Sequence, residues 1–226
     1  VENTKYYFDK ESPLSKSSKS NINSPIIISE KIISTSPCKT KFLISADNIF
    51  LNESFQQVKY SYSPKYKGFK LGNISKQKTR FQEIHNYPEN TDVTVNYVYE
   101  SNYPSNRGGK SITDSRSVSI LVQHSLIKMP DTNYTPRFDD TRVGFFTTQS
   151  NHMTTIDQVN YRDFINRWRL EKKNPNENLS EPIKPIIFWI ENTTPNELRK
   201  IIKDGVESWN IAFEKAGFKN AIQVKI

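Results

Sequence analysis

Two stretches in the middle of the chain alternate between apolar and polar side chains. In residues 91–99 the apolar side chains fall mainly at odd positions, and in residues 118–126 they fall mainly at even positions. A period of two is the pattern of a strand with one covered face. The loop between the stretches contains Pro104 and Gly108-Gly109. We therefore predict two strands that pair as a long hairpin in an antiparallel sheet.

A different pattern occupies the last forty-odd residues. Residues 185–190 are a continuous apolar run, which predicts a strand buried on both faces. Apolar side chains then recur at helical spacing from Leu198 to Ala216, and residues 221–226 read as a second strand. A strand–helix–strand unit of this length favours parallel strands joined by a right-handed crossover.

The helix of this unit carries sequence signals at both ends. Thr194 is the predicted N-cap, Pro195 suits the first helical position, and Glu197 is placed to close a capping box. Lys215 suits the last turn, and Gly217 is a suitable residue to end the helix. These signals predict one uninterrupted helix from about residue 195 to residue 216.

Two shorter segments are assigned less directly. Residues 143–146 predict a short strand. Residues 161–173 fit a helix face through Phe164 and Trp168, and also fit a strand; we favour the strand. By contrast, residues 1–24 are rich in Ser, Lys and Asn and predict a flexible arm. The expected organisation is an arm at 1–24, a β-rich antiparallel domain at 25–181 and the start of an α/β domain at 182–226, an α+β arrangement.

Composition limits the classes of protein that fit. The 226 residues carry a net charge of +8, but the lysines are scattered without a concentrated stripe, which indicates a general basic surface rather than specific nucleic-acid binding. No apolar run approaches the roughly 18 residues needed to cross a bilayer, so we expect no transmembrane segment. Val1 is not a natural start, so the chain looks processed or excised.

The single cysteine, Cys38, rules out an internal disulfide and a cysteine-based zinc finger. It could also be a zinc-blocking thiol, but its surroundings favour an ordinary semi-buried cysteine.

The histidines and paired carboxylates are the candidates for chemistry. His124 lies on the apolar face of the second strand, where a hydrogen-bonded core residue is the favoured interpretation and a ligand or switch the alternative. His85 and His152 lie in turn-rich surroundings and are expected to be exposed. No two of the three have metal-ligand spacing, which argues against a local zinc site. Asp139-Asp140 could bind a cation or transfer protons, but an aspartate turn with an ion pair to Arg142 is favoured.

Further candidates lie near the C-terminus. The arginines at 162, 167 and 169 either contact an anionic partner or flank a buried Trp168. Trp209 belongs to the apolar stripe and is expected in the core, while Asn210 is expected to bond to neighbouring backbone. None of these residues is assigned a catalytic or metal-binding role within the chain, and no binding residue is assigned.

Several motifs together resemble a known family. Within the C-terminal unit they are residues 184–190 and the segment from Gly205 to Ile222. Upstream they are Asp114-Ser-Arg116-Ser-Val118, His124-Ser-Leu126, Tyr134-Thr-Pro136-Arg137, Asp140-Thr-Arg142-Val-Gly-Phe-Phe146 and the segment 167–173. In this order they resemble large bacterial zinc-dependent metalloproteases of the metzincin class, many from Bacteroidetes, which carry an uncharacterised domain upstream of the catalytic domain. The resemblance covers roughly residues 41–226.

The resemblance implies a function for the parent protein and also a gap in this chain. Metzincins hold zinc through a His-Glu-x-x-His helix and a third histidine, and the glutamate activates a zinc-bound water. None of the three histidines here lies in such a motif. The chain is then expected to be the N-terminal part of a zinc metalloendopeptidase, with catalytic residues and zinc ligands beyond Ile226. The rest of the catalytic domain and a peptide substrate would be its partners, in a secreted or cell-envelope bacterial protein. The alternative is a non-catalytic binding or assembly module of the cell envelope.

Overall fold

A computed structural model describes residues 5–130 and 134–226. Within the described residues, one compact unit comprises residues 16–130, and the other comprises residues 5–15 together with 134–226. The structure is mixed, rich in strands and poor in helices, with mainly antiparallel sheets. This confirms the mixed, β-rich architecture expected from the hydrophobic pattern.

The first unit is built around a long hairpin. Strand β6 (Asn90–Glu100) pairs with β7 (Ser117–Ile127) in an unbroken antiparallel register from Asn90↔Ile127 to Glu100↔Ser117. Strands β4 (Asn73–Ile74) and β5 (Arg80–Asn86) also pair with β6, and β5 has a bulge after Phe81. The predicted hairpin is therefore confirmed.

One face of the hairpin forms the core of this unit. Helix α2 (Asp47–Phe50) places Phe50 against four buried side chains of β6: Val93, Val95, Tyr97 and Tyr99. The remaining elements of the unit are short, with β2 (Ser34–Thr35) and β3 (Phe42–Leu43) forming a separate antiparallel pair.

The N-terminal residues contain more structure than the predicted arm. Strand β1 (Tyr6–Tyr7) pairs with β8 (Thr147–His152) of the second unit, and helix α1 (Leu14–Ser20) follows it. A strand can form in this polar segment because its backbone is held by a distant strand, a contact that composition does not reveal. The arm is thus not uniformly flexible.

The middle of the second unit differs from the prediction at two places. Residues 143–146 do not form the expected strand. The Val143 amide donates to the Asp140 carbonyl (2.9 Å) and closes a turn there, and strand β8 begins only at Thr147. Strand β9 (Tyr161–Ile165) pairs antiparallel with β8, but it ends before Trp168. The strand interpretation of residues 161–173 holds only for the first five residues.

The C-terminal residues form the predicted parallel strand–helix–strand unit. Strand β10 (Ile186–Trp189) and strand β11 (Ile222–Lys225) pair in parallel, from Ile186↔Ile222 to Trp189↔Lys225. Between them lie α3 (Asn196–Glu207) and α4 (Asn210–Lys215), so the predicted single helix is interrupted. The Ser208 hydroxyl donates to the Gly205 carbonyl (2.7 Å), a local bond that competes with regular helix geometry.

The start of α3 also corrects the prediction. Pro195 occupies the N-cap position, and neither Thr194 nor Glu197 supplies a side-chain capping bond. The Arg199 guanidinium instead donates to the carbonyls of Thr194 (2.9 Å) and Asn192 (2.7 Å), which holds the entry to the helix from outside.

Candidate functional site

The strand–helix–strand unit from β10 to β11, called the C-terminal unit below, protects one edge of its sheet with side chains from its helices. Asn210, at the start of α4, accepts from the Ile222 amide and donates to the Ile222 carbonyl, both at 2.9 Å. Glu207 accepts from the Val224 amide at 3.1 Å. These contacts occupy backbone groups of β11 that do not face β10. The prediction that Asn210 bonds to nearby backbone is confirmed.

The other edge of this sheet is open. Within the described part of the chain, β10 pairs with β11 and with no further strand. Ile186 is buried, but Ile187, Phe188 and Trp189 are exposed, with Trp189 at 70%. The prediction that this strand is buried on both faces is therefore wrong for the described residues, because a two-stranded sheet leaves one edge and much of its apolar surface uncovered.

The helices of the unit also present apolar side chains to solvent. Leu198, Ile201 and Ile202 of α3 are exposed, and Trp209 is 64% exposed, in contrast to its predicted place in the core. The half-buried positions of α3 include Arg199, Lys203, Val206 and Glu207. Monomeric proteins rarely leave a large contiguous apolar surface uncovered, and those that do commonly use it for association.

An apolar pocket lies between the helices and the strands of the same unit. It has a volume of about 270 Å³, and its lining comes from both helices, both strands and the segment before them: Trp168, Phe188, Val206, Trp209, Phe213 and Ile222. Trp168 meets Phe188 edge to face, with ring centroids 6.4 Å apart. We refer to the open edge of β10, the exposed face of α3 and this pocket together as the C-terminal apolar surface.

His124 is a core residue, as favoured from its sequence position. Its Nε2 lies 2.9 Å from the Tyr97 hydroxyl, which itself donates to the Phe50 carbonyl (2.6 Å). Because that hydroxyl proton is used, Nε2 carries the hydrogen and Nδ1 is left as a buried acceptor with no hydrogen-bond partner among the described residues. The ring is packed between Phe50 and Phe55, and burial lowers the pKa of His124 below its usual value. A neutral histidine is therefore favoured.

The other histidines lie in separate surroundings. His85 is exposed, as predicted, but it lies in β5 rather than in a turn, 2.8 Å from the Glu83 carboxylate. His152 is half-buried, in contrast to the prediction, because it packs against the Tyr7 ring. Within residues 5–130 and 134–226, no three His, Cys, Asp or Glu side chains are grouped to hold a metal ion.

The aspartate pair has a structural role. Asp140 accepts from the Arg142 backbone amide (3.0 Å) and forms an ion pair with its guanidinium (2.5 Å). The guanidinium lowers the pKa of the Asp140 carboxyl. Asp114 and Arg116 repeat the same geometry, and the pKa of Asp114 is lowered to about 2 for the same reason. The favoured interpretation, a turn with an ion pair, is confirmed.

The arginines of residues 161–173 are engaged within the chain. Arg162 pairs with Asp157 (3.3 Å), and Arg169 pairs with Glu171 (2.7 Å). Arg167 donates to the Thr135 carbonyl (2.9 Å) and lies over the Tyr134 ring. Trp168, which they were expected to flank as a buried residue, is 61% exposed.

Cys38 is exposed, not semi-buried as expected. Its sulfur lies 3.4 Å from the Ser36 hydroxyl and 2.9 Å from the Thr40 hydroxyl. Hydrogen bonds from Ser36 and then Thr40 lower its pKa to about 7, so a large fraction of the thiol is ionised at neutral pH.

Sequence reasoning missed two groups of interacting residues. Glu53 uses one carboxylate oxygen to accept from the Tyr99 hydroxyl (3.1 Å) and from the amides of Val58 (3.0 Å) and Lys59 (2.5 Å), which fixes a loop beside the hairpin. Tyr7 lies in an aromatic cluster of the second unit. The only signal for the latter was the run Tyr6-Tyr7-Phe8 in an otherwise polar segment.

No helix in the described residues is long and apolar enough to cross a membrane. No curated protein and no solved structure matches the chain. The sequence profile of one family, described as a domain of unknown function (DUF5117), matches residues 1–173. Because the match covers more than half of the 226 residues, the chain belongs to the DUF5117 family.

Proposed function

We propose that this chain is the N-terminal portion of a zinc-dependent metalloendopeptidase, in which the DUF5117 domain precedes a metzincin-like catalytic domain that begins near residue 182. The observation that carries the proposal is the C-terminal apolar surface. A parallel strand–helix–strand unit has one protected edge, at β11, and one open edge, at β10. Further strands can extend such a sheet only at β10, where they would pair with its open backbone edge and place side chains beside its exposed apolar ones.

The motif resemblance provides the second support. Residues 184–190 and 205–222 resemble the opening of a metzincin domain, and they follow the family match, which ends at residue 173. In the proposed enzyme, zinc polarises a bound water for attack on the peptide carbonyl. No three His, Cys, Asp or Glu side chains of the described residues are grouped to hold a metal ion, and in this proposal the zinc ligands and catalytic groups lie beyond Ile226. The role of the described residues in the proposal is to form part of the scaffold.

A second candidate function is a non-catalytic binding or assembly module of the bacterial cell envelope. The same apolar surface favours it, because Trp168, Trp189 and Trp209 are all exposed, and tryptophan is enriched where proteins associate. In this proposal a separate protein covers the surface. The location, secreted or in the cell envelope, is part of both proposals.

A peptidase assay on the native polypeptide distinguishes the metalloendopeptidase from the binding module. The polypeptide is captured from its source with an antibody against the β6–β7 hairpin, and its cleavage of an unfolded protein substrate is measured before and after treatment with a zinc chelator. The metalloendopeptidase proposal predicts activity that the chelator removes and added zinc restores. A captured polypeptide without such activity, bound instead to a stable partner, would favour the binding module.

A further inference from the structure

The N-terminal segment lies along the edge of β8 as an added parallel strand. The Asn151 amide donates to the Lys5 carbonyl (2.7 Å), and the Met153 amide donates to the Tyr7 carbonyl (2.9 Å). Just beyond β8, the buried Thr154 hydroxyl accepts from the Asp9 amide (3.0 Å). Residues 5–9 are therefore held mainly through their backbone by a strand about 145 positions away in sequence.

One side chain of the segment, the half-buried Tyr7, packs among three rings that we call the aromatic pocket. The Tyr7 ring centroid lies 5.0 Å from that of His152, 5.2 Å from Phe164 and 6.1 Å from Phe138. These three side chains come from β8, from β9 and from the segment before β8, and an isolated bridge joins Phe138 to Phe164. The pocket is thus built by residues 138–164, and its occupant comes from elsewhere in the chain.

Tyr6 provides an internal comparison. Successive side chains of a strand point to opposite faces, so Tyr6 projects away from the face that holds Tyr7. Among the described residues, no ring contact joins Tyr6 to Phe138, His152 or Phe164. The edge of β8 thus offers backbone pairing, which any extended peptide can use, beside one set of aromatic contacts at the position of Tyr7.

We propose that the edge of β8 and its aromatic pocket form a binding site for an extended peptide with an aromatic side chain, and that residues 5–9 occupy this site as an intramolecular ligand. The strand they form is only two residues long and lies at a sheet edge. Short edge strands open at lower free energy than the core, and an exposed strand edge is a template for another strand. The inference is independent of the proposed peptidase function.

The site can be tested with the full chain and a peptide of its own sequence. A fluorescein-labelled peptide of residues 5–11, Lys-Tyr-Tyr-Phe-Asp-Lys-Glu, is titrated with the wild-type chain and with the Tyr7→Ala chain, and anisotropy is measured. In the wild-type chain the tethered segment competes at high effective concentration, so we expect at least about tenfold weaker peptide binding than in Tyr7→Ala. The matched Tyr6→Ala chain should behave as wild type.

The peptide itself supplies the specificity control. Alanine at the position of Tyr7 should weaken binding to the Tyr7→Ala chain at least about tenfold, because the pocket then stays unfilled, whereas alanine at the position of Tyr6 should change it much less. Equal binding of the two alanine peptides, or no binding by a Tyr7→Ala chain with native circular dichroism, would overturn the proposal.

A second measurement covers the case in which Tyr7→Ala does not fold. The wild-type chain is irradiated with a peptide that carries a photoreactive benzophenone at the position of Tyr7, at a concentration raised at least about tenfold to offset the tethered segment, and the adducts are mapped by mass spectrometry. The proposal predicts adducts within residues 138–164 that an excess of unlabelled peptide removes. Adducts spread over the chain, or none under conditions in which a control photoprobe reacts, would contradict it.

Discussion

Replacing Asn210 by alanine should loosen the sheet of the C-terminal unit. The change removes two hydrogen bonds of 2.9 Å to Ile222, a buried residue whose amide and carbonyl then have no side chain to pair with. At roughly 1 kcal/mol net for each bond, the loss is about 2 kcal/mol, with more if water does not reach the freed groups. Alanine regains about 0.5 kcal/mol through its higher helix propensity. We therefore expect the free energy of opening to fall by about 1.5–3 kcal/mol.

Amide hydrogen exchange of the full chain measures this effect where it occurs. The Ile222 amide should lose protection by a factor of about 10 to 150 in Asn210→Ala, since roughly 1.4 kcal/mol corresponds to tenfold. Asn210→Asp keeps an acceptor for the amide but loses the donor to the carbonyl, so its loss should be intermediate. Asn192→Ala is the matched control, because the hydrogen bond that Asn192 makes with Arg199, among the described residues, uses its backbone carbonyl and not its side chain. Unchanged protection of Ile222 in Asn210→Ala would refute the proposed role of this side chain.

Three further predictions concern the first unit. Burial lowers the pKa of His124 in the folded chain, so the unfolded chain binds a proton at this histidine more readily than the folded chain does. Stability should then fall as the pH drops below about 6.5 toward the lower folded pKa, by up to about 1.4 kcal/mol per pH unit. Denaturant titrations from pH 7.5 to 5 should show a steeper decline in the wild type than in His124→Gln, and parallel declines would contradict this. Cys38, with its pKa lowered to about 7, should react with iodoacetamide at a half-maximal rate near pH 7, and Ser36→Ala should move that midpoint upward; an unchanged midpoint would count against the hydrogen-bond explanation. Glu53→Ala leaves three hydrogen-bond donors unpaired and should lower the free energy of unfolding, measured with denaturant, by about 1–3 kcal/mol. Glu53→Gln keeps an acceptor oxygen and should lower it less. Equal losses in the two variants would argue against the hydrogen-bonded role of Glu53.

The parts of the fold that sequence predicted are those with strong local patterns. Alternation in residues 91–99 and 118–126 located β6 and β7, because a sheet with one covered face imposes a period of two on both strands. The parallel order of β10 and β11 followed from the helix-length connection between them. The turn at Asp140 and the backbone contact of Asn210 were also accessible, since short polar side chains bond to nearby backbone.

The features that sequence missed depend on distant contacts or on local competition. Strand β1 exists because β8 holds it, and the polar composition of residues 1–24 carries no trace of that partner. The break between α3 and α4 lies at Ser208, whose side chain competes with the helix, while the apolar spacing runs on without interruption. Burial of Trp189 and Trp209 was expected from hydrophobicity, but burial depends on which elements lie opposite, and none covers them among the described residues.

The most direct test of the proposed function is the intact mass of the polypeptide from its native source, measured together with its zinc content. The proposal predicts a mass well above the 26.3 kDa of these 226 residues and about one zinc ion per molecule, as a single catalytic site requires. A native polypeptide of about this mass that contains no zinc would contradict the proposal and would favour the binding module.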